Sequence, residues 1–302
     1  GRWRSSSEVE CVAPSRAAGN TTVEVSNNGV DFTASGTRFV YAGSAVASVV
    51  TPSHGPVTGG TAVSVSGSGF AGRGELVCVV GGVRVSGTVT DDSAVVCVTP
   101  AAVAVGGVSV YVVDVSRDAE VAGPLAYVYD AAAHVSGVAP SFGGVRGSTA
   151  VSVSGEWFVG GAVCRVGDVS VGAQLVTSTV VMCETPAVVG VGAVGVEVSN
   201  NGVDFTADGV QYAYVSEASV SAAVPSEGGV AGGTVVTVVG SEFRSGSLLV
   251  CRFGYGLGGV VAGRWRSSSE VECVAPSRAA GNTTVEVSSN GVDFTASGTR
   301  FV

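Results

Sequence analysis

The sequence predicts an all-β fold: tandem β-sandwiches, three complete and one half. Three observations carry that expectation: a long exact recurrence, a strand-opening pattern that returns in register, and a cysteine beat of nearly constant period. The recurrence comes first, because internal repeats set the architecture. Gly1 to Val40 returns as Gly263 to Val302 with one change, Asn27 to Ser289, which is 39 matches in 40 at a lag of 262 residues. A β-domain tolerates wide variation at its exposed positions, so folding alone does not demand such identity. Duplication of a 262-residue block is the simplest account, and the 302 residues are expected to be one block plus its 40-residue overlap in a longer array.

Three segments open alike. The first runs Pro52-x-x-Gly55, then Gly60-Thr61-Ala62-Val63-Ser64-Val65-Ser66-Gly67, then Phe70. Pro140, Gly143, Gly147, Thr149, Val151, Val153, Gly155 and Phe158 repeat it, as do Pro225, Gly228, Gly232, Thr234, Val236, Val238, Gly240 and Phe243. Thr-x-Val-x-Val alternates with period 2, so each reads as a strand with valines inward and small polar groups outward. Proline and glycines supply the bend before it. Glycine ends it, and the phenylalanine is expected to plug the domain end.

The cysteines keep the same beat. Cys78, Cys164 and Cys251 are 86 and 87 residues apart; Cys11, Cys97, Cys183 and Cys273 are 86, 86 and 90 apart, and each of these four opens a Cys-x-x-Pro. A strand follows, at Val23 to Val25 or Val196 to Val198, then the turn Ser26-Asn27-Asn28-Gly29 or Ser199-Asn200-Asn201-Gly202. Asn-Gly between alternating segments predicts a hairpin, since both residues accept positive φ. Aromatic pairs mark the last strand: Phe39 and Tyr41, Tyr127 and Tyr129, Tyr212 and Tyr214. The domains are therefore expected at residues 46–130, 134–215 and 219–302, preceded by the C-terminal half of a domain at 1–42. Linkers are short, as in Ala42-Gly43-Ser44 and Val215-Ser216-Glu217-Ala218. No stretch carries a helical period, and domains of this size have small cores that gain from a staple.

Composition excludes several functions. The chain is 46% hydrophobic and 13% charged, has a formal charge of −9 and contains no lysine. No basic stripe can follow a phosphate backbone, so nucleic acid is not an expected partner. Apolar residues alternate with Ser, Thr and Gly, and no run reaches the ~20 residues of a spanning helix, so no membrane insertion is expected within this segment.

The opening motif, the central cysteine, the Cys-x-x-Pro strand end and Val-x-Val-Ser-Asn-Asn-Gly-Val-Asp-Phe with its terminal Tyr together resemble the IPT/TIG domain. That is the immunoglobulin-like fold shared by plexins, scatter-factor receptors and Rel-type transcription factors. The resemblance covers essentially the whole chain, and it implies tandem immunoglobulin-like (IPT/TIG) β-sandwich domains of the large extracellular surface or fibril-forming kind. The first complete domain departs from it, with Asp114-Val115-Ser116-Arg117-Asp118 where the Asn-Asn-Gly turn belongs.

Candidate sites are few. The repetition fits in-domain disulfides between neighbouring strands, Cys78–Cys97, Cys164–Cys183 and Cys251–Cys273, each contributing about 3 kcal/mol; the alternative is buried free thiols in a reduced compartment. The partner expected for Cys11 lies upstream of Gly1, outside these residues. Asn20 and Asn282 head Asn-Thr-Thr sequons, predicting N-glycans, with an ordinary polar loop as the alternative. Trp3 and Trp265, each between two arginines, and Trp157 are candidate contact or glycan-stacking residues, or else fold over their own domain edge. His54 and His134 are expected to be polar loop residues without a repeated partner. No catalytic constellation, cofactor or metal is expected: zinc needs clustered ligands, and calcium needs six to eight converging oxygens that the Asn-Gly turns do not supply.

The reading that follows is a structural, non-enzymatic extracellular repeat protein. It is expected to assemble with copies of itself into a glycosylated surface fibre or filament, carrying covalent glycans. The alternative is a receptor or adhesin ectodomain binding a protein or glycan ligand. Fold alone does not choose between them.

Overall fold

The computed structural model describes residues 1–41, 43–116, 119–254, 257–296 and 298–302. Linker residue Ala42 and Arg117 and Asp118 of the divergent turn lie outside the described residues. The chain divides into two compact units, Gly1–Asp130 and Ala131–Val302, each considered by itself.

Within the first unit, residues 1–41 form two small antiparallel pairs, Arg2–Ser5 with Glu8–Glu10 and Gly19–Thr22 with Arg38–Tyr41. The strand expected at Val23 to Val25 is absent from this copy. Its duplicate is present: Thr283–Ser288 pairs with Val250–Phe253 in a register that sets Val285 opposite Phe253. The first copy has no such neighbour, and a strand without a ladder partner leaves its backbone groups to water. Identical residues thus differ in structure because a non-local partner differs.

The rest of the first unit is a sandwich whose eight strands form one continuous ladder. Its long strand Val83–Asp91 pairs with Leu76–Val80 in one layer and with Ala94–Val98 in the other. The second unit holds two more sandwiches. In the first of them the layers separate into a four-stranded sheet, His134–Ala139, Ala150–Glu156, Val180–Glu184 and Gln174–Thr177, and a five-stranded sheet that includes Val163–Val166, Gly192–Ser199 and Gln211–Val215. In the other, seven strands again share a ladder through Val260–Ser267. The described residues are all-β apart from one 3-10 turn at Leu257–Gly259.

Each core follows the alternation read from sequence. Val63 and Val65, Val151 and Val153, and Val236 and Val238 are all fully buried, and Phe70, Phe158 and Phe243 close the domain ends. The glycine ending each Thr-x-Val strand is required by close approach. A Cβ on Gly155 would stand 1.9 Å from the His134 carbonyl oxygen, and Gly67 and Gly240 meet Val46 and Ser219 in the same way. The first strand of each sandwich therefore crosses directly over that glycine.

Three disulfides form, Cys78–Cys97, Cys164–Cys183 and Cys251–Cys273, with Cα separations of 6.3, 6.5 and 6.3 Å. They do not join neighbouring strands as expected. Cys164 lies on Val163–Val166 of one sheet and Cys183 on Val180–Glu184 of the other, so the bridge crosses the core. In the outer two sandwiches the bridged strands flank the long strand that both pair with. All six cysteines are buried among the core valines.

Candidate functional site

The Asn-Gly turn is built differently from a tight hairpin. In all three copies only the glycine has positive φ: 77° at Gly29, 77° at Gly202 and 79° at Gly291. The asparagine side chain makes the turn instead. Asn290 Oδ1 accepts from the amides of Val292 and Asp293 at 3.0 and 2.8 Å, and its Nδ2 donates to Asp293 Oδ2 at 2.7 Å. Asn201 and Asn28 repeat this set with Asp204 and Asp31. Short polar side chains compete with backbone ladders in this way, so Asn-Gly opens a longer loop here. A threonine closes it: Val25, Val198 and Val287 donate their amides to Thr33, Thr206 and Thr295 at 3.0–3.1 Å.

In the second unit this turn meets the preceding domain. Asp293 Oδ2 accepts a 2.7 Å hydrogen bond from Thr149 Oγ1, and Asn290 Nδ2 donates to the Phe142 carbonyl at 3.0 Å. Thr149 is completely buried and Asn290 nearly so. Gly143 lies at the centre: a Cβ there would stand 2.1 Å from the Tyr212 hydroxyl, 2.3 Å from Thr149 Oγ1 and 3.0 Å from Asp293 Oδ2. Only glycine leaves room for those three polar groups. The linker adds a carboxylate, with Glu217 Oε1 accepting the Arg146 amide at 3.1 Å. Behind the turn, Phe294 lies under the Arg252 guanidinium at 3.9 Å, and that guanidinium also pairs with Glu286. Burial raises the Tyr212 phenol above its usual range, the Asp293 and Glu217 charges add to this, and the Thr149 and Thr185 hydroxyls oppose it.

The tryptophans divide between the expected alternatives. Trp3 is 72% exposed, whereas the Trp265 indole donates to the Phe243 carbonyl at 3.2 Å and lies over its own domain edge. Beside it, Phe142, Phe243 and Arg244 line a shallow groove of about 430 Å³. Trp157 is exposed on a left-handed backbone, φ 62°, and Asn200 holds it by donating to the Trp157 carbonyl and accepting the Val159 amide. Asn20 and Asn282 are both exposed, Asn20 on a short strand and Asn282 just before one. Cys11 is an exposed free thiol.

The histidines lie on strands rather than loops, each against an aspartate: His54 Nδ1 with Asp130 Oδ2 at 2.5 Å, and His134 Nδ1 with Asp208 Oδ1 at 2.6 Å. Asp208 also accepts the Val135 amide, so this pair fixes a strand end. Among the described residues no group of three or more His, Cys, Asp or Glu could hold a metal ion, and no helix is long and apolar enough to cross a membrane.

One cavity has a structural explanation. About 460 Å³ opens at the end of the last sandwich, bordered by Gly228, Phe253, Pro276, Phe301 and Val302. In the other two sandwiches the same corner holds a tyrosine, with Tyr129 donating to the Pro100 carbonyl at 2.8 Å and Tyr214 to that of Pro186 at 2.7 Å.

Tandem β-sandwiches, each stapled by a disulfide and two of them carrying the Asn-centred turn, define an array of immunoglobulin-like modules. The chain belongs to the TIG family: the IPT/TIG domain matches residues 45–129, 133–214 and 218–302. Fibrocystin-L of Mus musculus is 26% identical over 260 residues, covering 82% of this chain and 6% of that protein. Among solved structures, the full extracellular region of plexin A4, domains 1 to 10, matches 78% of this chain and 21% of its own at 20% identity, with a TM-score of 0.43. FdeC, an Escherichia coli adhesin, matches 86% of this chain and 98% of its own at 12% identity, with a TM-score of 0.24.

Proposed function

We propose that the chain is a stretch of a cell-surface ectodomain of receptor or adhesin type, in which TIG modules hold a protein- or glycan-binding surface outside the cell. The observation that supports it most is that the family match spans three successive modules, each stapled by a buried disulfide. Disulfides persist in oxidising compartments, and the proteins similar to this chain include a plexin extracellular region and an adhesin. The groove beside Trp265, with Arg244 at its edge, is the contact surface to test, because Trp and Arg are among the residue types most enriched at interface hot spots. Glycans at the exposed Asn20 and Asn282 belong to the same reading.

The near-identical 262-residue block favours a second reading, a surface fibre built from copies of the chain. One preparation separates the two. Protein secreted from a eukaryotic host is applied to glycan and cell-surface protein arrays and examined in parallel by electron microscopy. The ectodomain reading expects a saturable ligand lost on Trp265→Ala, with glycan mass on Asn20 and Asn282. Filaments with no retained ligand would favour the fibre instead.

A further inference from the structure

We propose that the Asn290–Asp293 turn is a preformed latch that grips the preceding module and makes residues 133–214 and 218–302 one rigid pair. Two sides define it. The gripping side is Asn290 and Asp293, the receiving side the Phe142 carbonyl, Gly143 and Thr149. The gripping side exists before it has anything to hold. The duplicate turn at Asn28–Asp31 has the same internal hydrogen bonds, at 2.7 to 2.9 Å, although Asn28 and Asp31 are both exposed. An arrangement already fixed in the free turn loses little entropy on docking. The charge-assisted bond from the buried Thr149 to the half-buried Asp293 then closes the joint.

The receiving side is equally specific. Any side chain at position 143 would displace the Asp293 carboxylate or the Tyr212 hydroxyl, so the corner accepts one geometry. The strands on either side, Gln211–Val215 and Ser219–Val224, leave three residues between them, and one of these, Glu217, is itself bonded back to the Arg146 amide. The junction is therefore held by its linker and, independently, by the latch.

The latch also reads as a code. Thr149 follows Gly143 by six residues, and Gly228 with Thr234 keeps that spacing, so the last module carries a receiving corner of its own. The module of residues 46–130 has Asp114-Val115-Ser116 where the Asn-x-x-Asp turn belongs. There Asp114 folds back on the Ser116 amide and hydroxyl. That module lacks the Asn-x-x-Asp sequence of the gripping side, so by this code the joint before it carries no such latch. The array would then combine latched and unlatched joints placed by sequence. This inference concerns the joint alone and stands whichever ligand the array binds.

The test is a pulsed electron–electron resonance distance distribution on the full 302-residue chain. Spin labels are introduced as noncanonical amino acids at the exposed positions Val176 and Val230, leaving the disulfides intact. The expected result is a single narrow distribution that broadens at least twofold in Asp293→Ala and in Thr149→Val. These changes lie on opposite modules, so misfolding of one module does not account for both. Asp31→Ala removes the same carboxylate from the free turn and is expected to leave the distribution narrow. Unchanged widths in both Asp293→Ala and Thr149→Val, or equal broadening in Asp31→Ala, would overturn the proposal.

Discussion

At the scale of single residues, position 157 shows what one side chain costs. The three sandwiches place Gly69, Trp157 and Glu242 at the same point before the end-plugging phenylalanine, with φ of 78°, 62° and 60°. Glycine takes that conformation freely, whereas a residue with a Cβ costs about 1–3 kcal/mol there. The structure compensates unequally. Asn200 clamps the Trp157 segment with two hydrogen bonds, while Ser289 makes one with the Glu242 segment, its Oγ accepting the Arg244 amide at 3.1 Å. The single difference between the 40-residue copies, Asn27 to Ser289, falls at this clamp. Replacing the largely exposed Trp157 with glycine, Trp157→Gly, is expected to stabilise its domain by about 1 kcal/mol. The measure is the midpoint of denaturant unfolding; a lower midpoint would show that indole packing outweighs the backbone strain. None of this strain is visible in Glu156-Trp157-Phe158 alone. It emerges only when that segment is aligned with Gly69.

At the scale of elements, what could be read from sequence was whatever a short segment decides for itself. Thr-x-Val-x-Val strands, their closing glycines and the buried phenylalanines depend on local alternation. The hairpin Arg2–Glu10 illustrates this, since Arg4 pairs with Glu10 as Arg266 does with Glu272 in the complete domain. What depends on distant partners was misread. Val23 to Val25 lacks the neighbour that makes Val285 to Val287 a strand, and the Asn-Gly turn is governed by a side chain that bonds three residues ahead and reaches another module. The cavity beside Pro276 follows the same logic. Phe301 occupies the position of Tyr127 and Tyr212 and meets Phe253 edge to face, with ring centroids 5.3 Å apart. The tyrosine that comes two residues later in the sibling domains, Tyr129 or Tyr214, fills their equivalent corner. In the first copy Val40 is followed by Tyr41. Tyr214→Ala is therefore expected to open the same corner in its own domain and lower its stability by about 3–5 kcal/mol, while Tyr214→Phe, which keeps the ring, should lose only the hydrogen bond to the Pro186 carbonyl. Equal unfolding midpoints for the two variants would show that the corner is not an aromatic socket.

At the scale of the whole molecule, composition determines how stability responds to alkali. The chain has no lysine, and arginine keeps its proton throughout the accessible range. Between about pH 9 and 11 the side chains left to titrate are therefore chiefly tyrosines. Burial raises the phenols of Tyr129, Tyr212 and Tyr214 above the ordinary value of 10.0, and a neighbouring tyrosine adds to the effect at Tyr129 and Tyr214. The sign follows from which state holds the proton. Below pH 10 both folded and unfolded chains keep these phenols neutral, so they contribute no slope. Above it the unfolded chain ionises first and binds fewer protons, so stability falls with pH until the folded phenols also ionise. Each proton lost also deepens a net charge that is already −9, which repels in the compact state. Thermal unfolding should thus be flat from pH 8 to about 9.5 and then fall steeply, with tyrosinate absorbance rising together with unfolding. Tyr212→Phe should flatten the fall for its own domain, because it removes the phenol without removing the ring. An alkaline fall of unchanged steepness in Tyr212→Phe and Tyr214→Phe would overturn this account.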